Sequence, residues 1–388
     1  MRPALVVLAA LAVTAAARAA DGDLLAAKAH YLPAAQALFA KDADGLQARY
    51  GAGRVLEEAV RGARVSGRCT GLRAALLRFA RTQVATAEDA DYPVPRTMPR
   101  TLPRVPPDCK PAPGAAPAPA RLPALSLGGA ARLAHPEGAT DEALAARLGA
   151  IGGAYRGWAG FWVHDLRSGR TAGWNSDARF AAGSVVKLGP LVEGVRRPPL
   201  VYDAVQIARW SSNLGANHIA AQVGLSRVDD ALRRLGMWSS TYPGFYRAGT
   251  SAAVDAPNPP PATHTRVTTA HDLGRALYRM HAAAFGDGTS ATRLGLTRAQ
   301  ARAILALLLR STPVGDNRGL IRPALPRAAI AQKNAWISDL RTTAAIVYGR
   351  AGPTIVVIEV SRRGVTTREA RAVAAEAVRA AGLDRNTR

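Results

Sequence analysis

Three short polar motifs stand out in the chain because their residue types and spacing could support acyl transfer. The first contains Ser184 and Lys187, which would share one face of a helix beginning at that point. The lysine could accept the serine proton if its own charge were suppressed, and the serine would then act as a nucleophile. Only five of the 51 basic side chains are lysines. Arginine cannot lose its proton, so a retained lysine marks a position where arginine would not serve.

The other two motifs follow at Ser211 and Lys333. The Ser211 hydroxyl could relay a proton, and the amide of Asn213 could hold a substrate carbonyl, although the same triplet also suits an ordinary helix cap. Lys333 precedes a strand-like segment, where it could face a cleft and bind a carboxylate or simply be a solvated edge lysine. Its charge would also help keep Lys187 neutral, since like charges disfavour each other.

Strand-like and helix-like segments surround the three motifs and must position them. The strand-like segments are residues 160–166, 171–174, 342–348 and 354–360, and the strongest helix patterns are residues 141–151 and 367–381. Strands from both ends of one region predict a single antiparallel sheet covered by helices.

Taken together and in this order, the motifs resemble the S-x-x-K, S-D-N and K-T-G set of class A β-lactamases and penicillin-binding proteins. Residues 175–187, 266–273 and the segment from 296 onward resemble further parts of that family, and the likeness covers about residues 138–384. It implies an α/β fold with a β-lactamase-like antiparallel five-stranded sheet flanked by helices. The helical subdomain should be reduced, because only 23 residues separate Lys187 from Ser211.

The resemblance also implies a role for each motif residue. Ser184 would be the acylated nucleophile, Lys187 its base, and Ser211 the group that passes a proton to the leaving group. Asn213 would hold the amide side chain of the substrate, and Lys333 would hold its carboxylate.

The backbone N–H groups of Ser184 and Trp336 would form the oxyanion hole. Asn334 and Ala335 replace the threonine and glycine of the third motif. Asn334 keeps a polar group for substrate binding, whereas Ala335 adds a methyl group where the family keeps the strand bare.

The glutamate that hydrolyses the acyl-enzyme in class A enzymes has no counterpart here. Asp255 is the only acid between Asp230 and Asp272, and its surroundings do not fit the family's loop. Asp255 could still activate a water molecule. Without such a base the acyl-enzyme would hydrolyse slowly.

The N-terminal third carries no part of the resemblance. Arg2, the apolar run 5–13 and the small residues around Arg18 predict a signal peptide over residues 1–20, and therefore a periplasmic or secreted protein. No later segment predicts membrane insertion.

Three regions should follow the signal peptide: a helical N-terminal region (21–90), a proline-rich linker (91–137) and the hydrolase domain (138–388). In an oxidising compartment Cys69 and Cys109 could form one disulfide or remain free thiols.

The expected function is a β-lactamase-like serine hydrolase acting on a small-molecule β-lactam or a cell-wall peptide-like substrate. A penicillin-binding D-Ala peptidase, an esterase and a non-catalytic cell-wall binding module remain alternatives. Two cysteines and scattered histidines cannot build a zinc site, so neither a metal nor a cofactor is expected. The protein is expected to be a monomer.

The formal charge of +23 could also indicate a polyanion partner. The arginines are spread along the chain without a reader motif, so nucleic-acid binding is not expected. Trp174, Trp210 and Trp336 could line the pocket or belong to the core.

Overall fold

A computed structural model describes residues 69–88, 122–246, 266–286, 288–311 and 315–386. These residues fall into two compact units, one comprising 69–88 with 212–214 and the other all the remaining described residues.

The first unit contains helix α1 (Thr70–Glu88), which lies in the region predicted to be helical. Leu72 and Leu76 are buried at helical spacing on one of its faces. Cys69, directly before α1, is buried and disulfide-bonded. Cys109, the only other cysteine, and the predicted signal peptide (1–20) lie outside the described residues.

A five-stranded antiparallel sheet with the order β2-β1-β7-β6-β5 forms the centre of the second unit. Its strands are β1 (Trp158–Asp165), β2 (Thr171–Trp174), β5 (Ala329–Ile337), β6 (Leu340–Gly349) and β7 (Gly352–Ser361). Two short strands, β3 (Phe180–Ala181) and β4 (Val267–Thr268), pair with each other separately. The predicted antiparallel sheet is therefore confirmed, and it has five strands with β5 at one edge.

Helices cover both faces of this sheet. They are α2 (Glu142–Ala154), α3 (Leu188–Arg196), α4 (Val201–Trp210), α5 (Asn213–Val223), α6 (Leu225–Arg234), α7 (Ala270–Phe285), α8 (Gly288–Arg293), α9 (Arg298–Leu309), α10 (Thr367–Ala380) and α11 (Leu383–Asn386). Side-chain oxygens cap four of these helices at their first turns, and the capping residues are Asp141, Thr269, Thr297 and Thr366.

The central strand β7 shows how the two layers divide the core. Ile355 and Val357 belong to the cluster shared with α3 to α9, whereas Val356 and Ile358 belong to the cluster shared with α2 and α10. Because successive side chains of a strand point to opposite faces, a continuous apolar run is buried on both sides.

Part of the segment predicted to be a linker packs onto this unit. Leu122, Leu125 and Leu127 are half-buried against the core, and Leu133 accepts a hydrogen bond of 3.0 Å from His281 through its carbonyl. The proline-dense part of the predicted linker ends near Pro123, and Leu122, Leu125 and Leu127 at and beyond this point gain free energy by leaving water. Residues 91–121 lie outside the described residues. Among the helices described, none is long and apolar enough to span a membrane.

Candidate active site

Ser184 and Lys187 come together through a tight turn at the end of β3. Gly183 has a φ of +49°, which suits glycine, and Ser184 then begins a single 3-10 turn over Val185–Lys187 that leads into α3. The Nζ atom of Lys187 lies 2.9 Å from Ser184 Oγ and forms a hydrogen bond with it. Ser184 is half-buried, while Lys187 is fully buried with 0% of its surface exposed.

Ser211 links this pair to the edge strand. It follows the last residue of α4 and has a φ of +59°, a left-handed conformation that is uncommon for a residue other than glycine. Its carbonyl accepts a hydrogen bond of 2.5 Å from Lys187 Nζ, and its hydroxyl accepts one of 2.6 Å from Lys333 Nζ. The unusual backbone thus presents two oxygens of one residue to two lysines.

Burial lowers the pKa of both lysines, and like charges lower that of Lys187 further. The pKa of Lys187 falls well below its usual range because burial penalises the charged form, and Lys333 and Arg266 add repulsion. Burial lowers the pKa of Lys333, which is 2% exposed, to about 7. A neutral lysine beside a serine hydroxyl is able to accept its proton.

The Asn334 side chain lies on the opposite face of β5 from Lys333. Its amide donates a hydrogen bond of 2.7 Å to the carbonyl of Asn317, and its oxygen accepts one of 2.8 Å from the Thr343 hydroxyl. A methyl group on Gly319 would lie 2.6 Å from that oxygen. The structure therefore groups Asn334 with the 315–319 segment rather than with Ser184, Lys187, Ser211 and Lys333.

Ala335 and Trp336 continue β5 past the lysine. Ala335 is buried, and its methyl group would lie 3.0 Å from a Cβ atom added to Gly183, so the third motif packs against the nucleophile turn. Trp336 is half-buried on the same edge strand. Trp174 lies on β2 at the other edge of the sheet and packs against α2.

Three further residues were predicted for the site or its surroundings: Asn213, Asp255 and Trp210. Asn213 is the first residue of α5, two positions after Ser211, and is half-buried. Asp255 lies outside the described residues, as does the side chain of Trp210. Within the described ranges, no group of three or more His, Cys, Asp or Glu residues could hold a metal ion.

Two residues that sequence reasoning missed lie beside Lys187. The ring centroid of Tyr246 is 4.3 Å from Lys187 Nζ and 4.0 Å from the guanidinium carbon of Arg266. Tyr246 belongs to an irregular segment, and a single tyrosine in such a segment carries no periodic signal. Arg266 begins the family-like segment 266–273, and that pattern does not indicate a position beside Tyr246.

A model of the β-lactamase enzyme family matches residues 204–382. The matched range contains Ser211, Asn213 and Lys333 but begins after Ser184 and Lys187. No curated protein matches the chain.

Several solved structures share the fold. A β-lactamase from Desulfarculus baarsii is 21% identical, with a TM-score of 0.50 over 62% of this chain and 97% of its own. An ancestral class A β-lactamase (GNCA) is 17% identical, with a TM-score of 0.51 over 62% of this chain and 99% of its own. PBP-A is 18% identical, with a TM-score of 0.49 over 64% of this chain and 99% of its own.

The likeness to the two β-lactamase structures establishes the fold, and the family match supports a hydrolase. The resemblance predicted from the three motifs is confirmed by the match to the β-lactamase enzyme family model and by the fold shared with class A β-lactamase structures.

Proposed function

We propose that the protein is a serine hydrolase that forms an acyl-enzyme on Ser184 with a β-lactam or a related amide or ester. The observation that carries this proposal is the 2.9 Å contact between Ser184 Oγ and the Nζ atom of the fully buried Lys187. Burial keeps that lysine available as a neutral base, so the serine can lose its proton as it attacks.

Acylation would proceed with Ser184 Oγ attacking the substrate carbonyl while its proton moves to Lys187. Collapse of the tetrahedral intermediate breaks the carbon–nitrogen bond, and the leaving nitrogen takes a proton from the Ser211 hydroxyl. Lys333 is 2.6 Å from that hydroxyl and would return the proton to it. Ester substrates would follow the same path with oxygen as the leaving atom.

The register of the β5–β6 hairpin supports an oxyanion hole at Trp336. Ser338 and Asp339 form a two-residue turn, flanked by the pair Ile337 and Leu340. In such a hairpin the flanking pair exchanges its backbone hydrogen bonds, and bonded and non-bonded pairs then alternate. The N–H of Trp336 consequently points to the open edge of the sheet, where it could stabilise negative charge beside Ser184.

Hydrolysis of the acyl-enzyme requires a water molecule to attack the ester carbonyl and release Ser184. Lys187 would first pass the serine proton, through solvent, to Lys333, which has given one to Ser211. Lys187 would then take a proton from the attacking water and return it to Ser184 Oγ as the ester bond breaks. A β-lactamase, a D-Ala peptidase and an esterase share these steps and differ in the leaving group and in the rate of this release.

The decisive experiment is the intact mass of the full-length mature protein after incubation with benzylpenicillin. We expect an adduct of one penicillin on the wild-type protein and none on Ser184→Ala. Ser226→Ala, which removes an exposed hydroxyl on α6, is the matched control and should be acylated like the wild type.

The consumption of penicillin, which is measured by its absorbance, distinguishes the possible outcomes. Consumption without a lasting adduct, lost in Ser184→Ala, would mean fast turnover and would support a β-lactamase. Untouched penicillin would contradict the β-lactam proposal and direct the same assay to a D-Ala-D-Ala peptide and to an activated ester. Inertness toward all three would favour a non-catalytic binding module.

We also propose that the protein is exported as a monomer without a cofactor. The mass of the protein recovered from the periplasm or medium would give its N-terminus, which should lie after the Ala17-Arg18-Ala19 cleavage pattern if the signal peptide is removed.

A further inference from the structure

Tyr246 contacts the two residues that carry the proposed chemistry. Its hydroxyl donates a hydrogen bond of 2.9 Å to the carbonyl of Gly183, the residue directly before Ser184. Its ring lies 4.3 Å from Lys187 Nζ, measured to the ring centroid. With 8% of its surface exposed, the ring keeps water from this side of the lysine.

Asn217 holds the backbone of Tyr246 in place. Its amide donates a hydrogen bond of 2.8 Å to the Tyr246 carbonyl, and its oxygen accepts one of 2.7 Å from the Tyr246 N–H. Asn217 lies on α5, so this pair of bonds fixes an irregular segment to a rigid helix. Arg266 packs against the ring of Tyr246 as well, at 4.0 Å from its centroid.

We propose that Tyr246 is a positioning residue for acylation, with its hydroxyl fixing the turn that carries Ser184, its ring covering Lys187, and Asn217 acting through it. This inference rests on the proposed function. The two parts of the side chain have separable effects, since the hydroxyl acts on the serine and the ring acts on the lysine.

The ring should affect the pH dependence of acylation, whereas the hydroxyl should not. Burial is the largest cause of the lowered pKa of Lys187. Replacing the ring by a smaller side chain would let water reach Nζ, stabilise the charged form and raise that pKa. Acylation requires neutral Lys187, so the fall of the acylation rate at low pH would begin at a higher pH.

The test compares Tyr246→Phe and Tyr246→Leu with the wild type, by measuring the acylation rate constant with a fluorescent penicillin between pH 5 and 9. Tyr246→Phe should slow acylation about 2–10-fold at every pH, because one hydrogen bond to the turn is lost. Tyr246→Leu should slow it roughly 100-fold and shift the low-pH limb upward. Tyr348→Phe, a buried tyrosine that contacts His281 instead, is the matched control and should behave like the wild type.

Asn217→Ala supplies a second, independent variant. If Asn217 acts through Tyr246, the Asn217→Ala and Tyr246→Leu effects should not add, and the double variant should acylate at the rate of Tyr246→Leu alone. Thermal unfolding of each variant shows whether it folds. If Tyr246→Leu does not fold, Tyr246→Phe and Asn217→Ala decide the matter.

Two results would overturn the proposal in different ways. If the wild type is acylated and the variants that fold are acylated at the same rate with the same pH profile, Tyr246 has no positioning role. A wild-type protein that forms no adduct and consumes no penicillin would contradict the proposed function itself, and the inference about Tyr246 would fail with it.

Discussion

Lys187 and Lys333 are both buried, and their Nζ atoms donate hydrogen bonds to two different oxygens of Ser211. Lys187 contacts the carbonyl of Ser211, and Lys333 contacts its hydroxyl. Two positive charges that are buried so close together repel each other, and desolvation penalises both. The arrangement therefore favours a state in which Lys187 is neutral while Lys333 is able to carry a charge.

Lys187→Arg tests whether position 187 needs a residue that can lose its proton. Arginine keeps the positive charge and remains protonated at any usable pH. We expect the acylation rate by benzylpenicillin to fall about 10²–10⁴-fold, the usual contribution of a general base. Lys187→Ala is the comparison, because alanine likewise cannot accept the serine proton, and its acylation rate should fall by a similar factor. A Lys187→Arg variant that is acylated at the wild-type rate would contradict a base role for Lys187.

The pH dependence of substrate binding should report the charge of Lys333. Its pKa of about 7 means that the charge, and with it the attraction for a substrate carboxylate, is lost as the pH rises through 7. The apparent Km for a cephalosporin with a free carboxylate should therefore rise between pH 6 and 8. The Km for its methyl ester, which lacks the negative charge, should change little. A parallel rise for both compounds would assign the effect to another group.

At the level of elements, strand β5 has two faces with different contacts. One face lies toward Ser211 and the turn that carries Ser184, and the other packs against neighbouring segments of the fold. Lys333 and Ala335 lie on the face toward Ser211 and the nucleophile turn, while Asn334 lies on the other face against Asn317 and Thr343. This alternation follows from the two-residue period of a strand.

Asn334→Ala should consequently affect stability more than substrate binding. It removes two buried hydrogen bonds, one to the Asn317 carbonyl, which keeps a second donor in Gln332, and one from the Thr343 hydroxyl, and their loss costs about 1–3 kcal/mol of unfolding free energy. Urea unfolding measures that loss, and the penicillin concentration for half-maximal acylation rate should stay unchanged. Asn213→Ala is the matched variant, for which we expect weaker substrate binding. Weaker binding in Asn334→Ala at unchanged stability would restore its predicted role as a substrate ligand.

Much of the fold could be predicted because its signals are local. Alternation and apolar runs located the strands, and Ser184 and Lys187 meet because three positions bring side chains to one face at a helix start. Tyr246 could not be predicted, since it reaches Lys187 through tertiary packing and hydrogen bonds to Asn217. The packing of residues 122–137 was missed because three leucines without a periodic pattern carry little signal.

At the scale of the whole molecule, the sheet between the helical layers contains a buried acid that the proposed chemistry does not use. Glu359 is 0% exposed on the central strand β7, directly opposite Thr342 on β6. Neither of its carboxylate oxygens has a hydrogen-bond partner among the described residues, nor has the Thr342 hydroxyl. Burial, and secondarily the negative charge of Asp272, raises the pKa of Glu359 well above its usual range.

This buried acid should make the protein less stable as the pH rises. In the folded state Glu359 keeps its proton above the value at which the unfolded chain, with an ordinary pKa of about 4.3, releases it. The folded state then binds more protons, so the free energy of unfolding declines by about 1.4 kcal/mol per pH unit from about pH 4.3 up to the raised folded pKa.

Glutamine cannot ionise, so Glu359→Gln removes this pH-dependent loss of stability. Urea unfolding should find the variant closest to the wild type near pH 4.5 and more stable than it by a margin that grows toward pH 7.5. The exposed Glu376→Gln, on α10, should show no such trend. Parallel stability curves for Glu359→Gln and the wild type would mean that the carboxyl ionises as readily in the folded protein as in the unfolded chain.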